Sequence, residues 1–465
     1  MHKSYQITEE SFYKYLKCPS WLIYEQEEKL SHGELIRLLQ KEGLMSDQID
    51  RLIDKKSVIH INKKDTDDGF QATLQAMKQG VRTIFGGVLV SGHHIGRPDL
   101  LEKVEGNSNL GNFYYVACDL KRSLRLKDEY KYEACFYGEL LESVQDVKPM
   151  QGYVMHADGS VSSFVLDEFE SEYSHLLDKI ENILHTRETR TFLTSACKQS
   201  PYFHKCLEEA ERARDLSLIN RIWKSEVDSL KLAGIQTIDD LADAKIDQLK
   251  SVSDMTLDRA YFLQQQAISL VDKKVILTGE VVLPESKKSL VIDIESDPLR
   301  GIHYLFGILV IDGEKHFYKT FFAEKPEDEE RNWLAFIEFL SKFKDTPIYH
   351  YGWYEVDVFR KLTEKYQTSA EAQDLFTNHL IDLLTVLRDK VIFPSPFYSL
   401  KDIAKFLGFN WRTGDASGLD SIIWYHEWLE SNDNLKKQQI IDYNEDDVRA
   451  TWFLKEWAEK QYAKK

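Results

Sequence analysis

The sequence predicts a multi-domain α/β protein in which a helical middle joins two mixed regions of helix and strand. Three observations predict it. The chain has 465 residues, and at roughly 150 residues per domain that is two or three domains. Residues 1–210 and 281–465 alternate apolar runs of strand type with segments of helical spacing, whereas 211–280 has helical spacing and few strand signals. Finally, 43% apolar and 12% aromatic residues can fill real cores, which excludes a disordered chain.

Several function classes fall away on composition. The longest clean apolar run, YLFGILVI from Tyr304, has about eight residues, against the ~20 that span a bilayer, so no membrane association is expected. MHKSYQITEESFYKY at the start has no apolar h-region, so no secretory signal is expected. Five cysteines at uneven spacing fit a reducing cytoplasm rather than a disulfide framework. With 60 basic and 77 acidic residues, a net charge of −17 argues against a protein that coats polyanions. It leaves room for an enzyme with a small basic groove, and it makes clustered carboxylates candidate metal ligands.

In the first region, GRPDLLEKV (Gly96–Val104) places Asp99 at a strand start after a turn. FYYVACDLKRS (Phe113–Ser123) is an apolar strand on which Asp119 and Lys121, two apart, share a face. An acid to hold a metal and an ammonium to steady water or phosphate make a phosphodiesterase arrangement. The same pair also fits an ordinary ion pair on a strand. A helix is expected over Tyr130–Glu142, and Lys121, Arg122, Arg125, Lys127 and Lys131 are expected to form a basic patch beside the site. With GRPDLL before it and TLQAMKQGVRTIFGGVL (from Thr73) further upstream, this set resembles the RecB-like branch of the PD-(D/E)xK nucleases, which implies a restriction-endonuclease-like α/β core. The resemblance makes Asp99, Asp119 and Lys121 the site residues. The helical Q-x-x-x-Y of the branch reads Glu133 and Tyr137 here.

Many nucleases of that branch hold an iron–sulphur cluster through one early cysteine, a late C-x-x-C and a further cysteine. Cys18, Cys197 and Cys206 match three positions, and Ser200 stands at the fourth. Three thiolates are one short of the usual set, so a 4Fe–4S cluster is not expected. Cys118 and Cys135 look like core residues.

SLINRIWKSEVDSLKLAGIQTIDDLADA (from Ser217) reads as helix, turn, helix and resembles part of a helix-hairpin-helix module, which grips phosphates with backbone N–H groups. The hairpin is expected at Asn220–Trp223, which has no glycine. The segment is either such a module or a helical spacer. PESKK (Pro284–Lys288) reads as a linker into the last region.

There, SLVIDIE (Ser289–Glu295), YLFGILVID (Tyr304–Asp312) and HFYKTFFAE (His316–Glu324) predict three strands. A helix over Glu327–Phe343 puts Trp333, Leu334, Ile337, Leu340 and Phe343 on one face. A strand at Pro347–Gly352, a helix from about Tyr354 and a last helix from about Lys436 to Glu459 complete a layout of ribonuclease-H-like type. Asp293 and Glu295 share a strand face, and two acids side by side there repel unless a cation lies between them. Glu355 stands where a strand hands over to a helix. Tyr443 and Asp447 lie one helical turn apart. His350 and Asp357 are read as packing and surface.

D-x-E, an acid after the fourth strand and Y-x-x-x-D, in this order, resemble the tyrosine subtype of the DEDD 3′–5′ exonucleases. With IDLLTVLRD (from Ile381) and YSLKDIAKFLGF (from Tyr398), they resemble its YprB-like branch most. The resemblance implies that Asp293, Glu295, Glu355 and Asp447 hold two Mg²⁺ or Mn²⁺ ions and that Tyr443 orients the attacking water; most of the superfamily has Asp where Glu355 stands. Hard cations with oxygen ligands suit phosphodiester hydrolysis.

The complete order resembles a family of bacterial RecB-like nucleases. It implies a metal-dependent nuclease acting on DNA, at single-stranded ends, in repair, recombination or phage defence. No G-x-x-x-x-G-K-[ST] is present, so any helicase is a partner in trans. Two rival readings stand beside it: an RNA 3′–5′ exonuclease, and a non-catalytic nucleic-acid-binding scaffold with decayed sites.

Overall fold

A computed structural model describes residues 5–27, 58–63, 65–121, 123, 125–156, 158–189, 192–298, 300–343, 345–368 and 378–462. The chain divides into two units, Met1–Glu209 and Ala210–Lys465.

The first unit opens with β1 (Ile7–Thr8), α1 (Glu10–Lys17) and α2 (Trp21–Glu27). After β2 (Val58–His60), α3 (Thr66–Lys78) starts where the Asp65 carboxylate accepts the Asp68 N–H at 3.0 Å, satisfying one of the helix's free donors. β3 (Thr83–Phe85) and the short hairpin β4 (Leu89–Ser91) and β5 (His94–Gly96) lead into the long hairpin β6 (Leu100–Ser108) and β7 (Gly111–Lys121). Then come α4 (Asp128–Gln145), β8 (Gln151–His156), β9 (Val161–Val165), α5 (Glu170–Thr186) and α6 (Phe203–Ala213). The main sheet has the order β2-β3-β6-β7-β8-β9, and a smaller one the order β1-β5-β4. Phe12 of α1 packs on Phe136 of α4 and Tyr173 of α5, with ring centroids 5.5 Å apart in both cases, so three helices share one core.

The second unit starts helically: α7 (Lys224–Leu232), α8 (Ile238–Ala242), α9 (Ile246–Lys250) and α10 (Leu257–Asp272). The expected hairpin at Asn220–Trp223 is a turn between the 3₁₀ helix Leu216–Leu218 and α7, with Arg221 at a left-handed φ of 57. The turn between α7 and α8 is made by Gly234 at φ +82, a conformation open to glycine at little cost. Asn220, ahead of α7, donates from its side chain to the Pro396 carbonyl at 2.9 Å.

β10 (Ile276–Leu277) precedes the sheet strands β11 (Lys288–Asp297), β12 (Ile302–Asp312) and β13 (Lys315–Phe322). α11 (Glu329–Leu340), β14 (Ile348–His350), α12 (Tyr354–Lys365), β15 (Leu380–Asp382), α13 (Leu383–Arg388) and β16 (Val391–Ile392) follow, then α14 (Leu400–Phe406), α15 (Gly418–Ser431) and α16 (Asn434–Tyr462). The five-stranded sheet runs β13-β12-β11-β14-β15. Its first three strands are antiparallel; β14 joins β11, and β15 joins β14, in parallel. α11 buries Trp333, Phe336, Ile337 and Leu340 on this sheet. Leu334 is exposed, because the i, i+3, i+4, i+7 stripe selects Phe336 and leaves position 334 a quarter-turn away. Among the described residues, no helix is long and apolar enough to cross a membrane.

Candidate functional site: a buried carboxylate cluster

β11 is the middle strand of its sheet, and Asp293 and Glu295 leave it on one side. Opposite Asp293 on β12 stands Gly307, and the ladder bulges after Glu295. The long helix α16 crosses that side and brings Tyr443, Asn444 and Asp447 to it. One oxygen each from Asp293, Glu295 and Asp447 lies within 4.8 Å of the others. Glu355, in the first turn of α12, is buried beside them. Its Oε2 has no hydrogen-bond partner, and its charge acts on both Asp293 and Glu295. The Nδ1 of buried His350, 3.5 Å from that oxygen, is unbonded as well. Asp357 faces outward to Arg360 and Lys361.

Burial first, and the neighbouring carboxylates second, raise these acids. Asp293 is pushed well above the usual carboxylate range, and Glu295 to about 8. Asp447 goes up to about 6 through burial, held down by its bond from Trp411 and by the Lys401 charge. Such a cluster keeps protons unless a cation replaces them. The donors are all carboxylate oxygens, and one buried oxygen of Glu355 is unpartnered. Both features fit a hard divalent metal ion.

Other side chains hold the acids in place. Asn444 Nδ2 donates to Asp293 Oδ2 at 2.6 Å, and Tyr318 donates its hydroxyl to Asn444 Oδ1 at 2.7 Å. The Trp411 indole N–H reaches Asp447 Oδ1 at 2.6 Å. The buried Tyr443 hydroxyl bonds to Asp447, and burial with three nearby carboxylates raises it far above an ordinary phenol. Lys401 lays its ammonium over the rings of Tyr443, at 4.8 Å, and Trp411, at 5.6 Å. That nitrogen is buried without a hydrogen-bond partner, and burial lowers its pKa. The other acids of the NEDD run are neutralised elsewhere: Asp446 by Arg412 at 2.8 Å, and Glu445 by Arg449 at 2.6 Å.

Asn444, Trp411, Lys401 and Gly307 were not legible as site residues. Asn444 had one signal, its place between Tyr443 and Asp447. The others come from distant segments.

Residues 290–459 match RNase_H_2, a family model of the RNase H superfamily. The second unit carries a ribonuclease-H-like domain. Such a domain points to nuclease-type activity on nucleic acid, and RNase-H-like nucleases generally use divalent metals. No curated protein matches the chain.

The first unit gathers its own charged set. Asp99 just precedes β6, and its Oδ2 accepts the Leu120 N–H of β7 at 2.8 Å; its own N–H donates to Asp119 Oδ1 at 3.2 Å. Lys121 reaches Asp119 at 2.9 Å and Glu133 of α4 at 2.6 Å, and Tyr137 donates to Asp119 at 3.3 Å. Burial and the Asp119 charge raise Asp99 to about 6. Burial raises Glu133 to about 8, opposed by Lys121. Glu9, which the sequence did not mark, is raised to about 7 by burial, with a smaller part from Asp119, and accepts the Arg97 N–H at 3.3 Å. Although burial opposes it, the carboxylates of Asp119 and Glu133 hold Lys121 well above its usual value.

Three lysines of the expected basic patch are paired, and Arg125 is exposed. Lys121 is tied inward, Lys131 pairs with Asp128 at 2.9 Å, and Lys127 lies 3.9 Å from Glu129. The cause is local: α4 opens with two acids, which suit a helix N-terminus and also attract the lysines. Arg122 lies outside the described residues.

The structure brings Cys18, Cys197 and Cys206 together in a buried place. Cys18 and Cys206 have sulfurs 3.9 Å apart, and Cys18 also bonds to Cys197. Ser200 is buried, and its hydroxyl accepts the Tyr202 N–H at 3.1 Å. Cys118 and Cys135 are buried free thiols.

A cavity of about 170 Å³ in the second unit is lined by Arg221, Arg259 and Arg388 together with Trp223, Phe262 and Tyr398. Arg259 is held by Glu226 at 2.7 Å.

Proposed function

We propose that this chain is a divalent-cation-dependent nuclease whose second unit removes nucleotides from the 3′ ends of DNA, single-stranded ends above all, in the manner of the tyrosine-containing DEDD exonucleases. The observation that carries the reading is the meeting of Asp293, Glu295 and Asp447 within 4.8 Å, beside the unpartnered oxygen of Glu355. Mg²⁺ or Mn²⁺ held by these four acids would supply charge relief on the scissile phosphate and an acidified water.

The chain's own residues do the rest. Asn444 fixes the rotamer of Asp293, and Trp411 that of Asp447. Tyr443 keeps its proton at neutral pH, so it positions the attacking water by hydrogen bonding and is not the base. The Lys401 ammonium, close to Tyr443, attracts the phosphate. The water oxygen bonds to phosphorus, the bond from phosphorus to the 3′ oxygen breaks, and that oxygen leaves with a proton. The arginine-lined cavity with Trp223 beside it is a place for the strand's backbone and a stacked base.

The first unit reads best as a RecB-like nuclease domain with Asp99 and Asp119 as the metal-holding acids, Lys121 as the ammonium of the D-x-K motif and Glu133 at the Gln position of the helical motif. Its three thiols are the residue of a four-ligand cluster site. Action in the cytoplasm, in repair, recombination or phage defence and alongside a helicase in trans, follows from the same resemblance.

The test offers 3′- and 5′-labelled DNA and RNA strands to the full chain in Mn²⁺. Release of mononucleotides from DNA 3′ ends, abolished by Asp293→Asn and retained by Asp119→Asn, is the expected result. Preference for RNA would favour an RNA exonuclease. Binding without cleavage in Mn²⁺ would leave a scaffold.

A further inference from the structure

A second group of metal-ligating side chains gathers in the first unit, apart from the Asp99 cluster. The turn between β4 and β5, closed by Gly92 at φ +61, presents His93 and His94 to Glu181 on α5. His94 Nε2 lies 3.1 Å from Glu181 Oε1, and His93 Nε2 lies 3.5 Å from the same oxygen. The three ligand atoms lie within 4.8 Å of one another.

Bonds of about 2.0–2.1 Å from Zn²⁺ to nitrogen or oxygen place tetrahedral neighbours roughly 3.3–3.4 Å apart. The two nitrogen-to-oxygen distances fall on either side of that value, so a zinc-sized ion fits with small side-chain adjustments. The rings are also braced. Tyr5 meets His93 edge-on at 4.9 Å, and Phe136 packs on His94 at 5.5 Å. Bracing keeps both nitrogens on the carboxylate and reduces the entropy lost when an ion binds. The side chains of His93 and Glu181 are 44% and 35% exposed, so an ion can enter from solvent.

We propose that His93, His94 and Glu181 form a site for a zinc-class divalent cation, with a fourth position open to water. Two imidazoles and one carboxylate select Zn²⁺, Co²⁺ or Ni²⁺ over the all-oxygen preference of Mg²⁺. The ion clips the β4–β5 hairpin to α5. Since β5 runs directly into Arg97, Pro98 and Asp99, the clip steadies the segment that delivers Asp99. The site stands whether or not either carboxylate cluster is a nuclease centre.

The experiment titrates Co²⁺ and Zn²⁺ into the full chain after chelator treatment, in an Asp293→Asn background so that the second unit's cluster does not contribute. With Asp119→Asn added to that background, so that the Asp99 set does not contribute either, expected are one bound ion, the visible absorption of tetrahedral Co²⁺ without a sulfur charge-transfer band, and a Zn²⁺-dependent rise in the unfolding midpoint. His94→Ala and Glu181→Gln should each weaken binding roughly 100-fold, equal to about 2.7 kcal/mol. Glu181→Gln keeps a hydrogen-bonding oxygen, so it separates ligation from folding. Absence of binding overturns the proposal. So does Co²⁺ bound with a sulfur charge-transfer band at unchanged affinity in both variants, because that ion would sit on the thiols of Cys18, Cys197 and Cys206.

Discussion

Gly307 makes room for Asn444: a Cβ at position 307 would overlap the side-chain oxygen of Asn444, whose amide holds Asp293. The glycine is the strand partner of Asp293 itself, so the ladder sets both the acid and the gap for the residue that orients it.

Gly307→Ala should therefore push Asn444 away and loosen Asp293. Overpacking of this kind destabilises by about 1–3 kcal/mol, which urea denaturation will read. Cation-dependent hydrolysis should fall more steeply than stability does. Equal activity in the folded variant would remove Asn444 from the site's support.

Acidity offers a second test. Glu295 at about 8 and Asp447 at about 6 keep protons in the folded chain at pH values where they are lost on unfolding. These two groups make the folded state bind more protons, so their contribution to the stability of the cation-free chain falls as pH rises from about 4 to about 8. Urea denaturation in EDTA measures this slope. Glu295→Gln should flatten its upper part, and Mn²⁺ should stabilise most at the alkaline end. An unchanged slope in Glu295→Gln contradicts a raised Glu295.

Lys401→Met removes a buried ammonium that has no hydrogen-bond partner. Stability should rise, by about 1–3 kcal/mol, while kcat drops on the order of 10²-fold. A variant that is both less stable and fully active would mean that Lys401 is a packing residue.

Lys121→Met leaves Asp119 and Glu133 buried without the ammonium between them. Breaking a buried pair by removing one partner destabilises by about 3–5 kcal/mol. The loss should be smaller in Asp119→Asn/Lys121→Met, which removes a carboxylate left without its ammonium. Urea midpoints of the single and double variants decide it.

The layout of the second unit was legible because its strands are strongly apolar and its acids fall at spacings of two and four, which map directly onto strand and helix faces. Trp411 and Lys401 were not, since nothing local distinguishes a lysine at the start of α14 from a solvated one. The turn at Asn220–Trp223 has no glycine, and Arg221 takes the left-handed φ of 57 there; Gly234 makes the next turn, between α7 and α8. Charge counting along the chain does not show the acids of α4 that pair with Lys127 and Lys131 of the expected basic patch.

The acids of the main cluster come from β11, α12 and α16, so the ligand set is completed by the last helix of the described chain. During synthesis, the strands can form their sheet on the ribosome well before Asp447 has been translated. The two carboxylates of β11 thus lack their partner until α16 has been synthesised and has packed across the middle strand, and a cation that needs all of them can be held only from then on.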